Sequence, residues 1–266
     1  MQLVDGAHAV LGDLPRSGSR MIEVPLEAGD TLDSGVLRMS ALNQTARNLR
    51  IALGELRERS QAAITFGGDA GVATVAALDA AAHGSPRHAP DDAMAVVWFS
   101  ARGALHSPAS SPSKAFHDMA ARALFDPVVP RPHLSEPPPV IAGNRLTLVG
   151  VRALDDAQIA AAAEHGVALH APDRLDPAAL ATAIVAAGAS RVFIHVDLNV
   201  LDPAALSGLG HAEPFGLALA QLLDTIAALR ARLPLAGAAI TEYAPATPTA
   251  VSDDMATILR IVGALA

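Results

Sequence analysis

Residues 192–203 of the chain read VFIHVDLNVLDP, and this stretch decides the class of fold. Its first five residues are apolar or aromatic apart from one histidine, which is typical of a strand buried on both faces of a parallel sheet. The run then reaches Asp197, with Asn199 and Asp202 close behind it. Ligands of open α/β sheets bind beyond the carboxyl ends of the strands, so these polar residues are predicted to lie at a site.

The rest of the chain continues this pattern, with short apolar runs alternating with helical stretches rich in alanine and leucine. Strands are predicted at Arg20–Val24, Ala62–Phe66, Met94–Phe99, Leu146–Val149, Val167–Leu169, Val192–Asp197 and Ala238–Glu242. Helices are predicted at Val36–Arg59, Gly71–His83, Asp155–His165, Pro177–Ala187, Leu217–Arg232 and Ser252–Leu265. The alternation predicts an α/β fold, a doubly wound and mostly parallel sheet with helices on both faces.

Composition excludes several classes of protein. The chain has 266 residues, a formal net charge of −8 and no cysteine, which excludes a disulfide scaffold, a thiolate zinc site and a cysteine nucleophile. An acidic chain without a basic run is a poor binder of nucleic acid. No apolar stretch is long enough to span a membrane, and Met1 is not followed by a signal pattern. We therefore expect a cytoplasmic protein without nucleic-acid or membrane partners.

Two long loops, Ser100–Phe116 and Asp126–Asn144, interrupt the alternation, which resumes after each of them. We therefore expect one domain over residues 1–266. Polar segments follow four of the predicted strands. They are Gly67-Gly68-Asp69, the loop Ser100 to Asp118, the segment Asp197 to Pro203, and Glu242.

These four segments, in this order, resemble the ureohydrolase superfamily of arginases, agmatinases and formimidoylglutamases, over roughly Arg20 to Ala266. The family pattern is Gly-Gly-Asp-His, then Asp-Ala-His-x-Asp, Ser-Gly-x-x-His-Gly, Asp-x-Asp-x-Leu-Asp-Pro and a late Glu. The resemblance implies an arginase-like three-layer α/β/α fold. It also implies chemistry in which two Mn²⁺ ions activate a hydroxide that attacks a guanidinium or amidine carbon. The family's N-terminal strand is either missing here or the chain starts late, which leaves an unprotected sheet edge.

The family's metal site uses two histidines and four aspartates, and the resemblance places one of these six ligands here, at Asp197. The other five ligand positions hold Ala70, Ser100, Arg102, Ala104 and Asn199. Alanine ligates nothing, and the fixed positive charge of Arg102 repels a divalent cation. We therefore expect no cofactor, with Mn²⁺ as the alternative. We also hypothesise that Arg102 replaces the charge of the metals and pairs with Asp197.

Other family positions are retained. By resemblance His117 is the catalytic proton shuttle, Glu242 the carboxylate that holds the guanidinium, and Ser113 a substrate-binding residue, all interpreted here as vestigial. Supporting positions match at Asp69, Leu201, Asp202 and Pro203. Glu242 is expected to pair with Arg102, Lys114 or His117, or to face water. A weaker alternative is a mononuclear Zn²⁺ or Fe²⁺ site made by His106, His117 and Asp197.

Three functions remain open at this point. The first is a catalytically inactive homologue, a pseudoenzyme with a structural, oligomer-partner or ligand-binding role. The alternative is an active metal-dependent hydrolase of C–N bonds in linear amidines with a rearranged metal site. A third is a sensor that binds a small guanidino ligand without cleaving it. The resemblance also implies a homo-oligomer, trimer or hexamer, or a hetero-oligomer with an active homologue.

Overall fold

Six parallel strands form one sheet in the computed structural model, which describes residues 2–15, 17–58, 62–83, 93–132 and 141–266. The strands are β1 Ile64–Phe66, β2 Met94–Phe99, β3 Leu146–Val149, β4 Ala168–His170, β5 Arg191–Asp197 and β6 Leu235–Thr241. Their order across the sheet is β1-β6-β5-β2-β3-β4. The central strands β2 and β5 are buried along their whole length, as the apolar run of β2 and the largely apolar run of β5 predict.

Helices cover both faces of this sheet. They are α1 Gln2–Asp13, α2 Met39–Glu58, α3 Gly71–Ala82, α4 Asp156–His165, α5 Pro177–Ala186, α6 Leu219–Arg230 and α7 Pro248–Leu265. Along β2, Val96 and Trp98 pack into a core shared with α2, α3 and α4, whereas Val97 and Phe99 pack against α5, α6 and α7. Successive strand side chains point to opposite faces, so β2 joins both cores and the fold has the predicted three layers.

Two helices begin as their sequences predict. Asp155 caps α4 by accepting a hydrogen bond from the backbone N–H of Gln158, and α4 ends at Gly166 in the left-handed conformation. Asp176 caps α5, and Pro177 occupies the first turn of that helix. None of the helices in the described ranges is both long and apolar enough to cross a membrane.

The N-terminal part of the chain differs from its prediction. Arg20–Val24 was predicted as a strand, but it is extended chain without strand pairing. The carbonyl of Glu23 accepts a hydrogen bond from the side chain of Asn48 in α2, and Ile22 packs against the core. This segment therefore lies against α2 and does not join the sheet, because alternation of apolar residues does not by itself supply a neighbouring strand.

Some helix ends also differ from their predictions. Gln2–Asp13 forms the helix α1, where no helix was predicted, and α2 begins at Met39 rather than Val36. Its predicted end at Arg59 lies outside the described residues, as do residues 84–92 and 133–140. Helix α6 begins two residues late because Leu217 forms a bridge with Leu201, and α7 begins four residues early, at Pro248.

Candidate functional site

A cavity of about 310 Å³ opens at the carboxyl end of the sheet. Its walls include residues that follow four strands: Ala70 after β1, Ser100 after β2, Asp197 at the end of β5 and Glu242 after β6. Arg102, Ala104 and Asn199 also line it, so all six positions that the family resemblance assigns to metal ligands face one cavity. Its size is at the lower end of the range for small-molecule sites.

Asp197 is buried and held by a closed set of hydrogen bonds. Its Oδ1 accepts the backbone N–H of Asn199 at 3.0 Å, and its Oδ2 accepts the Asn199 side-chain amide at 2.9 Å. The Ser100 hydroxyl lies 3.1 Å from the same Oδ2. Asn199 is itself fixed, because its Oδ1 accepts the backbone N–H of Ala101 at 2.9 Å. Ser100 and Asn199, at two of the positions that the resemblance assigns to metal ligands, therefore hydrogen-bond to the one carboxylate among the six, Asp197.

Arg102 does not take part in this network as the sequence led us to expect. Its side chain is exposed at the rim of the cavity, and across the described chain it forms no ion pair with Asp197. Only its backbone N–H reaches the network, donating to the Ser100 hydroxyl at 3.2 Å. A guanidinium that stays hydrated avoids the cost of burial, and the oxygens of Asp197 are already satisfied without it. Burial raises the pKa of Asp197, whereas the hydrogen bonds from Asn199 and Ser100 lower it.

Glu242 enters the cavity from a strained backbone. Its φ is 69°, in the left-handed region that non-glycine residues rarely adopt. Burial raises the pKa of Glu242, and the negative charges of Asp197 and Asp69 raise it further. Its carboxylate forms no ion pair with Arg102, Lys114 or His117 in the part of the chain that the structure covers. Only the backbone N–H of Ala70 and the more distant charge of His117 favour its ionised form.

His117 lines the cavity and is paired with its neighbour along the chain. Its Nε2 lies 3.2 Å from Oδ1 of Asp118, and this hydrogen bond raises the pKa of His117, while it also lowers that of Asp118. Ser113 donates its hydroxyl to the other oxygen of Asp118 at 2.5 Å and does not line the cavity. Ser113 is thus placed to support His117 rather than to contact a ligand. Lys114 points back to its own loop, where its Nζ donates to the carbonyl of Pro108.

The rim of the cavity includes residues that the sequence did not single out. Asp155, Gln158 and His211 line it. Nε2 of His106 lies 3.4 Å from Oδ2 of Asp155, so His106 is engaged at the rim. Within the described ranges there is no group of three histidine, aspartate or glutamate side chains that could hold a metal ion. The mononuclear alternative built on His106 and His117 has no such group in this structure.

Arg152 is a further residue near the site that the sequence did not single out. Its guanidinium is half-buried and donates to six backbone carbonyl oxygens at 2.7–3.3 Å. The acceptors are Gly150, Asn199, Val200, Leu201, Glu213 and Pro214. Arg152 therefore ties the segment after β5 to the loop that carries His211. No local pattern in the sequence predicts these contacts, since every acceptor except Gly150 is a main-chain atom far along the chain.

The donor set does not fit a pair of Mn²⁺ ions. Ala70 and Ala104 have no ligating atom, and Arg102 carries a fixed positive charge. Ser100 and Asn199 present neutral groups that already bind Asp197. Two divalent ions would need several anionic or imidazole ligands at these positions, and the cavity offers one saturated carboxylate among the six.

The backbone around the cavity is strained at three non-glycine residues. Ala104, Lys114 and Glu242 have φ values of 51°, 56° and 69°. Each such residue costs of order 1 kcal/mol and persists only where the surrounding structure holds it. Strain of this kind clusters at ligand sites.

The comparisons with known proteins agree with this architecture. An arginase of Bacillus caldovelox is 26% identical over 209 residues, which make up 75% of this chain and 65% of that protein. An N(1)-aminopropylagmatine ureohydrolase of Thermus thermophilus is 32% identical over 104 residues, 39% of this chain and 36% of that protein. Both sequence matches thus span less than two thirds of the relative's own length.

The solved structure of the Bacillus caldovelox arginase at pH 5.6 has a TM-score of 0.73 to this chain. The match covers 92% of this chain and 82% of that one, at 22% identity, which shows a shared fold. A sequence model described as the arginase family matches residues 8–263. This match covers almost the whole chain, and the sheet and the cavity at its carboxyl end agree with it. The chain therefore belongs to the arginase family.

Proposed function

We propose that this chain is a non-hydrolysing member of the arginase family, which uses the family's cavity to bind a small guanidino ligand. The observation that carries the proposal is the hydrogen-bonded set of Ser100, Asp197 and Asn199. In this set, Ser100 and Asn199 hydrogen-bond to Asp197, which is the only carboxylate retained among the six positions that the resemblance assigns to metal ligands. Without metal ions at these positions, water at neutral pH is a poor nucleophile, and the activation that two ions would give is lost.

A binding role is supported by Glu242. The backbone of Glu242 is strained, with a φ of 69°, and its carboxyl group faces the cavity without an ion pair to any described residue. A purely structural protein gains nothing from this arrangement. A ligand cation at this carboxylate would supply the missing charge. The names of the relatives, arginase and N(1)-aminopropylagmatine ureohydrolase, favour a guanidino compound as that cation.

Two measurements on the purified protein test the absence of hydrolysis. The first is the metal content after incubation with excess Mn²⁺ and desalting, and the second is urea release from arginine and agmatine. We expect substoichiometric manganese and no urea above the protein-free control, with the Bacillus caldovelox arginase as the active reference. Stoichiometric manganese together with urea release would establish the alternative, an active hydrolase of linear amidines.

A third measurement tests binding. Ligands that bind only the folded state raise the melting temperature as their concentration rises. We expect arginine or agmatine to stabilise the wild-type protein and to lose that effect in Glu242→Gln, which removes the ionisable carboxyl group at nearly constant volume. Absence of stabilisation by both ligands would leave a purely structural role and refute the binding function.

A further inference from the structure

Two ionisable side chains of the cavity form no ion pair in the described part of the chain. They are the carboxylate of Glu242 and the guanidinium of Arg102. The other carboxylates that line the cavity are engaged by protein groups: Asp118 by His117, Asp155 by His106, and Asp197 by Ser100 and Asn199. The cavity therefore offers one carboxyl group, whose ionised form a bound cation would favour, and one positive side chain to a ligand.

The positive side chain is presented from a fixed backbone. The carbonyl of Ala101 accepts the N–H groups of Arg152 and Ala153, which anchors the chain just before Arg102. Just after it, Gly103 packs so closely on α4 and its start that an added Cβ would lie 2.6 Å from Leu154. The backbone at Arg102 is thus fixed, so less backbone ordering is needed when its side chain binds a ligand.

The sheet order sets the distance between the two charges. Arg102 follows β2 and Glu242 follows β6, and β5 lies between these two strands. Neighbouring strands are about 4.8 Å apart, so the ends of β2 and β6 are separated by about 10 Å. Two charges carried on opposite ends of a short aliphatic chain match this spacing.

We propose that Arg102 is a specificity-determining residue that binds the carboxylate end of a dipolar ligand whose cationic end lies at Glu242. This inference rests on the proposed binding function and adds the requirement for a carboxylate. The planar fork of arginine suits a carboxylate, because two parallel N–H groups can donate to its two oxygens. The side chain at the former ligand position thus selects the ligand instead of holding a metal.

The test compares two probes that differ in the carboxylate. Arginine carries it and agmatine, the decarboxylated form of arginine, does not. Affinities of both probes are measured by calorimetry for the wild-type protein and for Arg102→Gln, Arg102→Lys and Arg174→Gln. Arg102 and Arg174 are both exposed, so these variants are expected to fold, and Arg174 lies outside the cavity as the matched control.

We expect Arg102→Gln to weaken arginine binding about tenfold and to leave agmatine binding unweakened, because only arginine offers the carboxylate. Arg102→Lys keeps the charge without the fork and is expected to restore part of the loss. Arg174→Gln is expected to change neither affinity. Comparing the effect of one variant on two ligands isolates the carboxylate from any general effect on the cavity.

The outcomes separate the two proposals. An equal loss of both ligands in Arg102→Gln, or no loss of either, overturns the role of Arg102 and leaves the binding function standing. Binding of neither probe by the wild-type protein overturns both proposals. Retained binding of both probes in Glu242→Gln would show that their cationic end lies elsewhere, which also contradicts the inference.

Discussion

The stability of this protein is predicted to fall as the pH rises, and Glu242→Gln is predicted to reduce that fall. Burial, with the charges of Asp197 and Asp69, raises the pKa of Glu242 from its ordinary value of 4.5 to about 8. In that interval the folded protein holds a proton that the unfolded chain has released. Stability from this proton is fully present below pH 4.5 and is lost as the pH rises through about 8.

The magnitude follows from the width of that interval. Each pH unit in it costs about 1.4 kcal/mol of unfolding free energy, so the upper limit is about 5 kcal/mol. Water that enters the open cavity reduces this to about 2–3 kcal/mol. For a chain of this length, the loss corresponds to about 5–10 °C in melting temperature.

The assay is urea denaturation and thermal melting of the wild-type protein and Glu242→Gln at pH 5, 7 and 9. We expect similar stabilities at pH 5 and a more stable variant at pH 9, by about 2–3 kcal/mol. Glu164→Gln is the matched control, because Glu164 is exposed on α4. A difference between wild type and Glu242→Gln that stays constant from pH 5 to pH 9 would refute the reasoning.

Three other substitutions test contacts around the site by urea denaturation. Arg152→Met removes the donors to six carbonyl oxygens and is expected to lower the free energy of unfolding by about 3 kcal/mol. The control Arg174→Met should lower it by less than about 0.5 kcal/mol, and equal losses would contradict the role of Arg152 in tying the loops together. Asn199→Leu removes the side-chain amide that donates to Asp197 and accepts the backbone N–H of Ala101, and it is expected to cost about 2–3 kcal/mol; a neutral result would show that the network is dispensable. Phe215 is 84% exposed with a φ of 63°, so Phe215→Gly is expected to stabilise the fold by about 1 kcal/mol and Phe215→Ala is not; a destabilising glycine would assign Phe215 a packing role.

The fold was largely predictable because its strands carry strong local signals. β2 is a continuous apolar run, β5 is apolar from Val192 to Val196 apart from His195, and the caps at Asp155 and Asp176 mark the starts of α4 and α5. Arg20–Val24 also contains apolar residues, but it pairs with no strand in the described structure, so the prediction of a strand there was wrong. Whether an extended segment joins a sheet depends on a partner that is distant in sequence.

The sequence predicted which residues lie together at the edge of the sheet, but it did not predict the contacts between them. Ala70, Ser100, Arg102, Asp197 and Glu242 do line one cavity, because the carboxyl ends of parallel strands meet at one edge. The predicted ion pair between Arg102 and Asp197 is not formed, and the hydrogen bonds of Ser100 and Asn199 take its place. Residue type alone does not say which of several polar neighbours reaches a buried carboxylate first.

The sequence by itself determined the family and the alternation of strands and helices, since both depend on residue identity and order along the chain. Only the tertiary structure decided that Asp197 is satisfied by neutral groups, that Arg152 ties together loops distant in sequence, and that Glu242 and Arg102 face the same cavity without an ion pair to any residue of the described ranges. These contacts join atoms that are far apart in sequence. Their formation depends on distances and on the competition between burial and hydration, which local patterns do not encode.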